Sequence, residues 1–190
     1  MTSADRDKWD RKYSEKPANA IPPADEWLLK CVEGLAPGRA LDLACGLGQN
    51  AMSLANLGWD VDAVDISQTG LDCAAQHALS QGLEVNWICA DLDLWIPSKS
   101  YDLIVLFRFL DWDTIPSIVQ QGLSFEGIFC YETFSQTQMD RLDNHLKSSQ
   151  FTVQTGDFDQ YLPFLSVLRS ENTKLVDRDV ARFLGRLSAT

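Results

Sequence analysis

Short apolar runs alternate with segments of helical periodicity through the middle of the chain. The run Ala40-Leu41-Asp42-Leu43-Ala44 ends in Cys45-Gly46-Leu47-Gly48, and from Asn50 to Leu57 the apolar residues Ala51, Met52, Leu54 and Ala55 recur at helical spacing. This predicts a strand, a glycine turn and a helix. Gly58 is placed to end that helix, and Val61, Ala63 and Val64 form a second run closing on Asp65-Ile66-Ser67, with Ser67 suited to cap a helix over 68–81. Further strands are predicted over Glu84–Ala90, Tyr101–Phe107 and Gly127–Thr133, with helices over Asp25–Leu35 and Ile115–Gln121 and a loop around Pro97. Near-continuous apolar strands separated by amphipathic helices predict an α/β protein with a mostly parallel sheet covered on both faces. Beyond Phe134 the pattern predicts a polar helix over Gln136–Ser149, strands near Phe151–Thr155 and Phe164–Leu168, and a helix over the last dozen residues.

No linker interrupts this alternation, and 190 residues is the length of about one domain. We therefore expect one domain over 1–190: an N-terminal cap segment and helix (1–36), a ligand-binding core (37–135) and a more irregular C-terminal part (136–190). The 27 acidic and 16 basic residues leave a net charge of −11, which repels a phosphate backbone or an anionic membrane surface. Nucleic acid and membrane are excluded as expected partners, and no feature specifies an oligomeric state. Five scattered cysteines, no C-x-x-C pair and two histidines argue against a metal site or a disulfide scaffold. With a polar N-terminus and no run long enough to span a bilayer, we expect a cytoplasmic protein. Cys45, Cys89 and Cys130, on or beside strands, are expected to be small core residues, and Trp27, Trp59 and Trp87 to be packing residues.

In open α/β sheets ligands bind beyond the carboxyl ends of the strands, so the residues that follow each strand carry the functional information. After the first strand, Gly46 and Gly48 allow close approach to the backbone at a helix N-terminus. After the second comes Asp65, seventeen positions beyond Gly48 and suited to accept both hydroxyls of a ribose. After the third comes Asp91-Leu92, an acceptor beside an apolar contact, suited to an adenine. Gly46, Gly48 and Ala51 also satisfy the G-x-G-x-x-A dinucleotide fingerprint. Asp42, inside the strand before the turn, opposes a pyrophosphate and suits a cationic ligand instead. S-adenosyl-L-methionine (SAM), with its amino group, sulfonium, ribose and adenine, uses Asp42, Asp65 and Asp91 without conflict.

The segments Leu41-Asp42-Leu43-Ala44-Cys45-Gly46-Leu47-Gly48-Gln49-Asn50 and Gly58-Trp59-Asp60-Val61-Asp62-Ala63-Val64-Asp65-Ile66-Ser67 resemble class I SAM-dependent methyltransferases, specifically the small bacterial tellurite-resistance-type group. Trp9-Asp10-Arg11-Lys12-Tyr13, the stretch from Val85 to Leu92, and Tyr101-Asp102-Leu103-Ile104-Val105 running into Phe107-Arg108-Phe109-Leu110 are similar to the same group. The resemblance covers about residues 8–135. It implies a Rossmann-like three-layer sandwich, with a seven-stranded, mostly parallel sheet whose last strand is antiparallel. It also implies SAM across the ends of the early strands and the N-terminal aromatic segment folded over the reaction site. The cofactor residues it implies are Trp9, Lys12, Tyr13, Asp42, Ala44, Gly46, Gly48, Asn50, Asp65, Ile66, Ser67, Asp91, Leu92 and Phe107. Two segments depart from the group: Asp111-Trp112-Asp113 stands where basic or histidine residues are usual, and the region after Thr133 is shortened.

Methyl transfer is an in-line displacement that alignment alone accelerates, so no fixed catalytic residue is required. A soft nucleophile such as a thiolate or metalloid oxyanion needs desolvation and charge steering, whereas an alcohol or amine also needs a base. Arg108 and Lys12 are candidates for drawing in an anion, with Arg108 alternatively paired to Asp111 or Asp113. Tyr13, Trp9 and Trp112 are candidates for enclosing the sulfonium. The expected function is a SAM-dependent methyltransferase acting on a small-molecule acceptor. Its alternatives are a catalytically silent SAM-binding protein and a nicotinamide-dependent oxidoreductase.

Overall fold

The computed structural model describes residues 3–15, 21–154 and 156–188. Seven strands follow one another as β1 (Arg39–Leu43), β2 (Asp60–Asp65), β3 (Asn86–Cys89), β4 (Tyr101–Phe107), β5 (Leu123–Phe134), β6 (Leu165–Lys174) and β7 (Asp179–Leu187). The helices are α1 (Ser3–Ser14), α2 (Glu26–Val32), α3 (Gln49–Asn56), α4 (Gln68–Ser80), α5 (Ile115–Gly122) and α6 (Asp157–Tyr161). The strands form one sheet in the order β3-β2-β1-β4-β5-β7-β6. β1 to β5 pair in parallel, while β7 lies antiparallel between β5 and β6. This is the Rossmann-like, mostly parallel sheet with its last strand antiparallel.

Alternating side chains of β1 serve two cores because successive residues of a strand face opposite ways. Leu41 and Leu43 join Ile104, Leu106, Phe129 and Tyr131 on the face that α5 and α6 cover. Ala40 joins Leu103 and Val105 on the face that α2 and α3 cover through Trp27, Leu28, Ala51 and Leu54. Asp42 shares that second face and is buried there.

The order of strands reverses at β1, whose neighbours β2 and β4 are reached by crossovers in opposite directions. A crevice opens at such a point. The turn after β1 follows the strand without a break: Cys45 N–H still donates to the Val64 carbonyl at 3.0 Å, and Gly48 N–H closes on the Cys45 carbonyl at 2.9 Å. Gly48 adopts φ +70° as the residue capping α3. A methyl group there would also strike the Trp87 ring, so both backbone and packing require glycine.

Four expectations are corrected. The polar stretch after Phe134 forms a short 3-10 turn over Gln136–Asp140 and then irregular chain, not an α-helix over 136–149. Its polar side chains bond the backbone in competition with a helix: Gln138 Oε1 accepts Asp179 N–H at 2.7 Å and Asn144 Oδ1 accepts Leu146 N–H at 3.0 Å. Around 151–154 only an isolated bridge between Ser135 and Val153 forms, and Thr155 lies outside the described residues. The last dozen residues, as far as they are described, are strand β7, because Val180, Ala181 and Phe183 fill the central slot between β5 and β6. Of the cysteines expected in the core, Cys45 and Cys130 are buried and Cys89 is exposed. Among the described residues no helix is long and apolar enough to cross a membrane.

Candidate functional site

The ends of β1, β2 and β4 meet around one carboxylate. Asp65 Oδ2 accepts the Gly46 N–H at 2.8 Å and Oδ1 accepts the Ser67 N–H at 2.9 Å. The carboxylate thereby ties the turn after β1 to the start of α4. Burial raises the Asp65 pKa above the usual carboxylate range, and the N–H groups of Ser67, Gly46 and Ile66 partly offset the rise.

Asp42, one strand-length back, is buried more completely. Its Oδ2 has no hydrogen-bond partner among the described residues. Desolvation pushes its pKa up to about 8, opposed by the Ala51 amide. A buried acid with an empty acceptor beside a glycine turn is a costly arrangement unless a donor or a cation completes it.

Helix α1 lies over this turn. Asp10 accepts hydrogen bonds from the Ser67 hydroxyl at 2.5 Å and the Thr69 N–H at 3.1 Å, which docks α1 on the N-terminus of α4. The Tyr13 ring enters between Gly46 and Gly70, and a methyl group on Gly46 would lie 2.7 Å from its hydroxyl. Burial, then the nearby Asp65 charge, raise the Tyr13 pKa. Trp9 stacks on Tyr13 at 5.7 Å between centroids, and Lys12 Nζ sits 4.2 Å from the Trp9 centroid. Trp9, Ala44, Asp65, Ile66, Leu92, Phe107, Arg108 and Phe109 line a pocket of about 60 Å³.

A larger cleft of about 710 Å³ adjoins it and shares Ala44, Phe107 and Arg108. Ala44 (φ +50°) and Arg108 (φ +59°), at the ends of neighbouring strands, both adopt the left-handed conformation, which costs a non-glycine residue about 1–2 kcal/mol. Such strain concentrates at functional sites. The Arg108 guanidinium grips Asp25 at 2.5 and 2.9 Å, and Asp25 Oδ2 also accepts the Asn50 amide at 3.0 Å. Burial works against the Arg108 charge, but Asp25 more than compensates and raises its pKa. Arg108 is thus paired, though to Asp25 across 83 residues rather than to Asp111 or Asp113.

The predicted site residues therefore divide. Trp9, Ala44, Asp65, Ile66, Leu92, Phe107 and Arg108 line the small pocket, and Gly46 joins the cleft. Tyr13 lies against the same turn, while Asp42 is buried behind it. Asp91, half-buried just past β3, turns one oxygen to the Asp93 N–H at 3.0 Å. Others have structural tasks: Gly48 accommodates Trp87, Ser67 caps α4 by accepting the Gly70 N–H at 3.1 Å, and Asn50 holds Asp25. Lys12 is exposed. Trp112 belongs elsewhere: it stacks on Tyr161 at 4.6 Å and meets Tyr131 and Phe158 edge-on.

Sequence reasoning missed the polar lining of the cleft. Glu132, buried on β5, accepts Arg182 Nε at 2.7 Å, and Arg178 lies 3.7 Å from both Glu132 and Asp25. A charged residue inside the apolar run of β5 was the available signal for Glu132. Arg182 gave none, since its segment reads as a helix, and Arg178 lies just before that segment, where no element is predicted.

Comparison with known proteins places these features. Residues 40–124 match the family model described as a methyltransferase domain. The ubiquinone biosynthesis O-methyltransferase of Bordetella avium is 28% identical over 114 residues, which is 58% of this chain and 47% of that protein. The chain thus spans about half the length of the curated relatives it matches. Among solved structures, TehB from Haemophilus influenzae superposes with a TM-score of 0.71 at 20% identity, covering 95% of this chain and 66% of that one. The N-methyltransferase NodS from Bradyrhizobium japonicum, in complex with S-adenosyl-L-homocysteine, gives 0.72 at 13% identity, covering 97% and 98%. These last two share the fold.

Proposed function

From a chain that carries a class I SAM-dependent methyltransferase core with tellurite-resistance-type relatives, we propose that it transfers the methyl group of SAM to a small-molecule acceptor. The observation that carries this is the pairing of an orphaned buried carboxylate oxygen on Asp42 with a second carboxylate, Asp65, on either side of the Gly46 turn. The residues fit the cofactor in kind. Asp42 offers an acceptor to its amino group, Asp65 to the ribose hydroxyls, Asp91 and Leu92 an acceptor and an apolar face to the adenine. Ala44, Gly46, Ile66 and Phe107 give backbone and wall. When bound, SAM supplies a sulfonium-activated methyl group.

What the chain itself contributes is orientation and exclusion of water. Trp9 and Tyr13 on α1 roof the turn, and the about 60 Å³ beside Asp65 is smaller than the several hundred Å³ typical of ligand pockets. Trp9 must therefore withdraw for the adenosine end to enter and close again behind it. In this reading 1–36 caps, 37–135 binds the cofactor, and 136–190 walls the acceptor, within one domain. A thiol, a metalloid oxyanion or another small acceptor fits the adjoining cleft; the cytoplasm is its compartment on cysteine usage alone. Nucleic acid is no partner in this account, given a net charge of −11.

The test is incubation of the protein with SAM and a panel of thiols, metalloid oxyanions and hydroxy acids, following S-adenosylhomocysteine. Product above the no-enzyme background supports the assignment. Binding of SAM with no turnover across the panel would favour a silent SAM-binding protein.

A further inference from the structure

The two pockets at the strand ends share Ala44, Phe107 and Arg108, and among the described residues Arg108 is the only charged side chain that borders both. Its backbone and its side chain are each held. The Arg108 N–H donates to the Glu132 carbonyl at 2.9 Å, and Nη1 and Nη2 reach the two oxygens of Asp25 at 2.5 and 2.9 Å. Asp25 is fixed in turn by Asn50, which donates its amide to Oδ2 at 3.0 Å and accepts the Asp25 N–H at 3.0 Å. A guanidinium carries five N–H donors, and Asp25 takes two of them. The other three, that of Nε included, make no hydrogen bond among the described residues. The side chain is one-third exposed, so this unused edge can be reached from the junction of the two pockets.

The surrounding charge decides what the edge can take. On the cleft wall Asp25, Glu26, Glu132 and Asp177 outnumber Arg108, Arg178 and Arg182, so a lone anion gains nothing from the cleft as a whole. An α-amino acid differs, because it brings its own cation. Asp42 stands on β1, the strand beside β4, near enough for the charges of Asp25 and Arg108 to act on it in opposite directions. The site therefore sets carboxylates for an ammonium group next to a guanidinium edge for a carboxylate. SAM ends in that pair of groups, joined to the ribose through its sulfur and two methylenes. The other cations are committed elsewhere. Arg178 borders the larger cleft alone and holds Asp177 at 2.6 Å, while Arg182 holds Glu132 at 2.7 Å with its side chain almost fully covered. Lys12 borders neither pocket.

We propose that Arg108 binds the carboxylate of the amino-acid end of SAM through the N–H groups that Asp25 leaves unused, with Asp25 as the positioning residue that orients the guanidinium. The inference rests on the methyltransferase reading above and assigns Arg108 to the cofactor rather than to the acceptor. A planar carboxylate matches an edge of a guanidinium, whose rigid fork has donors enough for two carboxylates. Holding the ribose at Asp65 and the carboxylate at Arg108 fixes both sides of the sulfonium, and with them the direction of its methyl group.

The experiment is calorimetric titration of the intact chain with three ligands: S-adenosylhomocysteine, its decarboxylated analogue, which keeps the amine, and 5′-methylthioadenosine, which lacks both groups. S-adenosylhomocysteine is expected to bind about tenfold or more tightly than the decarboxylated analogue, the scale of hydrogen bonds between charged groups. Arg108→Gln should erase that ratio and leave the affinity for 5′-methylthioadenosine unchanged. Arg108→Lys, which retains a charge beside Asp25, should keep part of the ratio. Arg178→Gln, which alters a neighbouring arginine of the cleft, should leave it intact. Asp42→Asn should weaken both amine-bearing ligands alike and so preserve the ratio. Equal affinity for the first two ligands in the parent chain, a ratio that survives Arg108→Gln, a ratio lost in Arg178→Gln, or an equal loss for all three ligands in Arg108→Gln would each overturn the proposal. Binding of none of the three to the parent chain would instead overturn the methyltransferase reading.

Discussion

The carboxylate of Asp65 and the backbone N–H of Gly46 are joined by a 2.8 Å hydrogen bond that pins the end of β2 to the turn after β1. The residue assigned to the ribose is therefore also the residue that shapes the glycine turn. Asp65→Ala removes both tasks. Loss of two hydrogen bonds to an ionised group, at about 1.5–3 kcal/mol each, predicts more than a hundredfold weaker SAM binding. Calorimetric titration, with a thermal melt to show that the fold survives, checks this; retained micromolar affinity would refute the ribose assignment.

Gly46→Ala is expected to act through Tyr13. The new methyl group would meet the Tyr13 hydroxyl at 2.7 Å, and φ at this position is +59°, so the variant carries a clash and a backbone penalty of about 1–2 kcal/mol. Tyr13→Phe removes the hydroxyl and should recover the clash component alone. A double-mutant cycle read by urea unfolding measures this coupling, and strict additivity would show that the two residues do not meet.

Asp42 predicts a stability that falls with pH. Its carboxyl keeps a proton in the folded protein up to about pH 8, whereas the unfolded chain loses it near 3.8. The unfolded state therefore releases the proton first. The contribution of this group is complete below about pH 4 and is lost as pH rises towards 8. Asp42→Asn cannot ionise, so its stability relative to the parent protein should grow across that window, by up to about 1.4 kcal/mol for each pH unit. The same variant should bind SAM poorly. Melting curves between pH 5 and 9 decide the point, and a constant difference would contradict the burial argument.

Asp25 joins α2, α3 and the end of β4 through Asn50 and Arg108. Asp25→Ala strands both partners. The Arg108 side chain is one-third exposed, so the cost is set at about 1–3 kcal/mol rather than the larger figure for a fully buried pair. Urea unfolding gives the value; no change would mean that Arg108 finds water at no cost.

The order of elements from β1 to β5 was legible because each is carried by its own local pattern: Leu41 and Leu43 before the glycines, Val61 to Val64 before Asp65, Tyr101 to Phe107 before Arg108. The carboxylates at those strand ends were legible for the same reason. Pairings between distant segments were not. Nothing near Arg108 points to Asp25, and Asp10 reaches Ser67 across 57 residues. β7 was misread because a central strand flanked by two others buries residues of both faces and loses simple alternation: Val180 and Ala181 are buried side by side. With β7 unread, Arg178 and Arg182 had no place on the cleft wall.

The most direct measurement is calorimetric titration of the purified protein with SAM, with S-adenosylhomocysteine and with NAD(H). The account predicts micromolar binding of the first two, no heat from the third, and silence from Asp65→Ala. Binding of NAD(H) without SAM or S-adenosylhomocysteine would contradict it and return the glycine turn to a dinucleotide role.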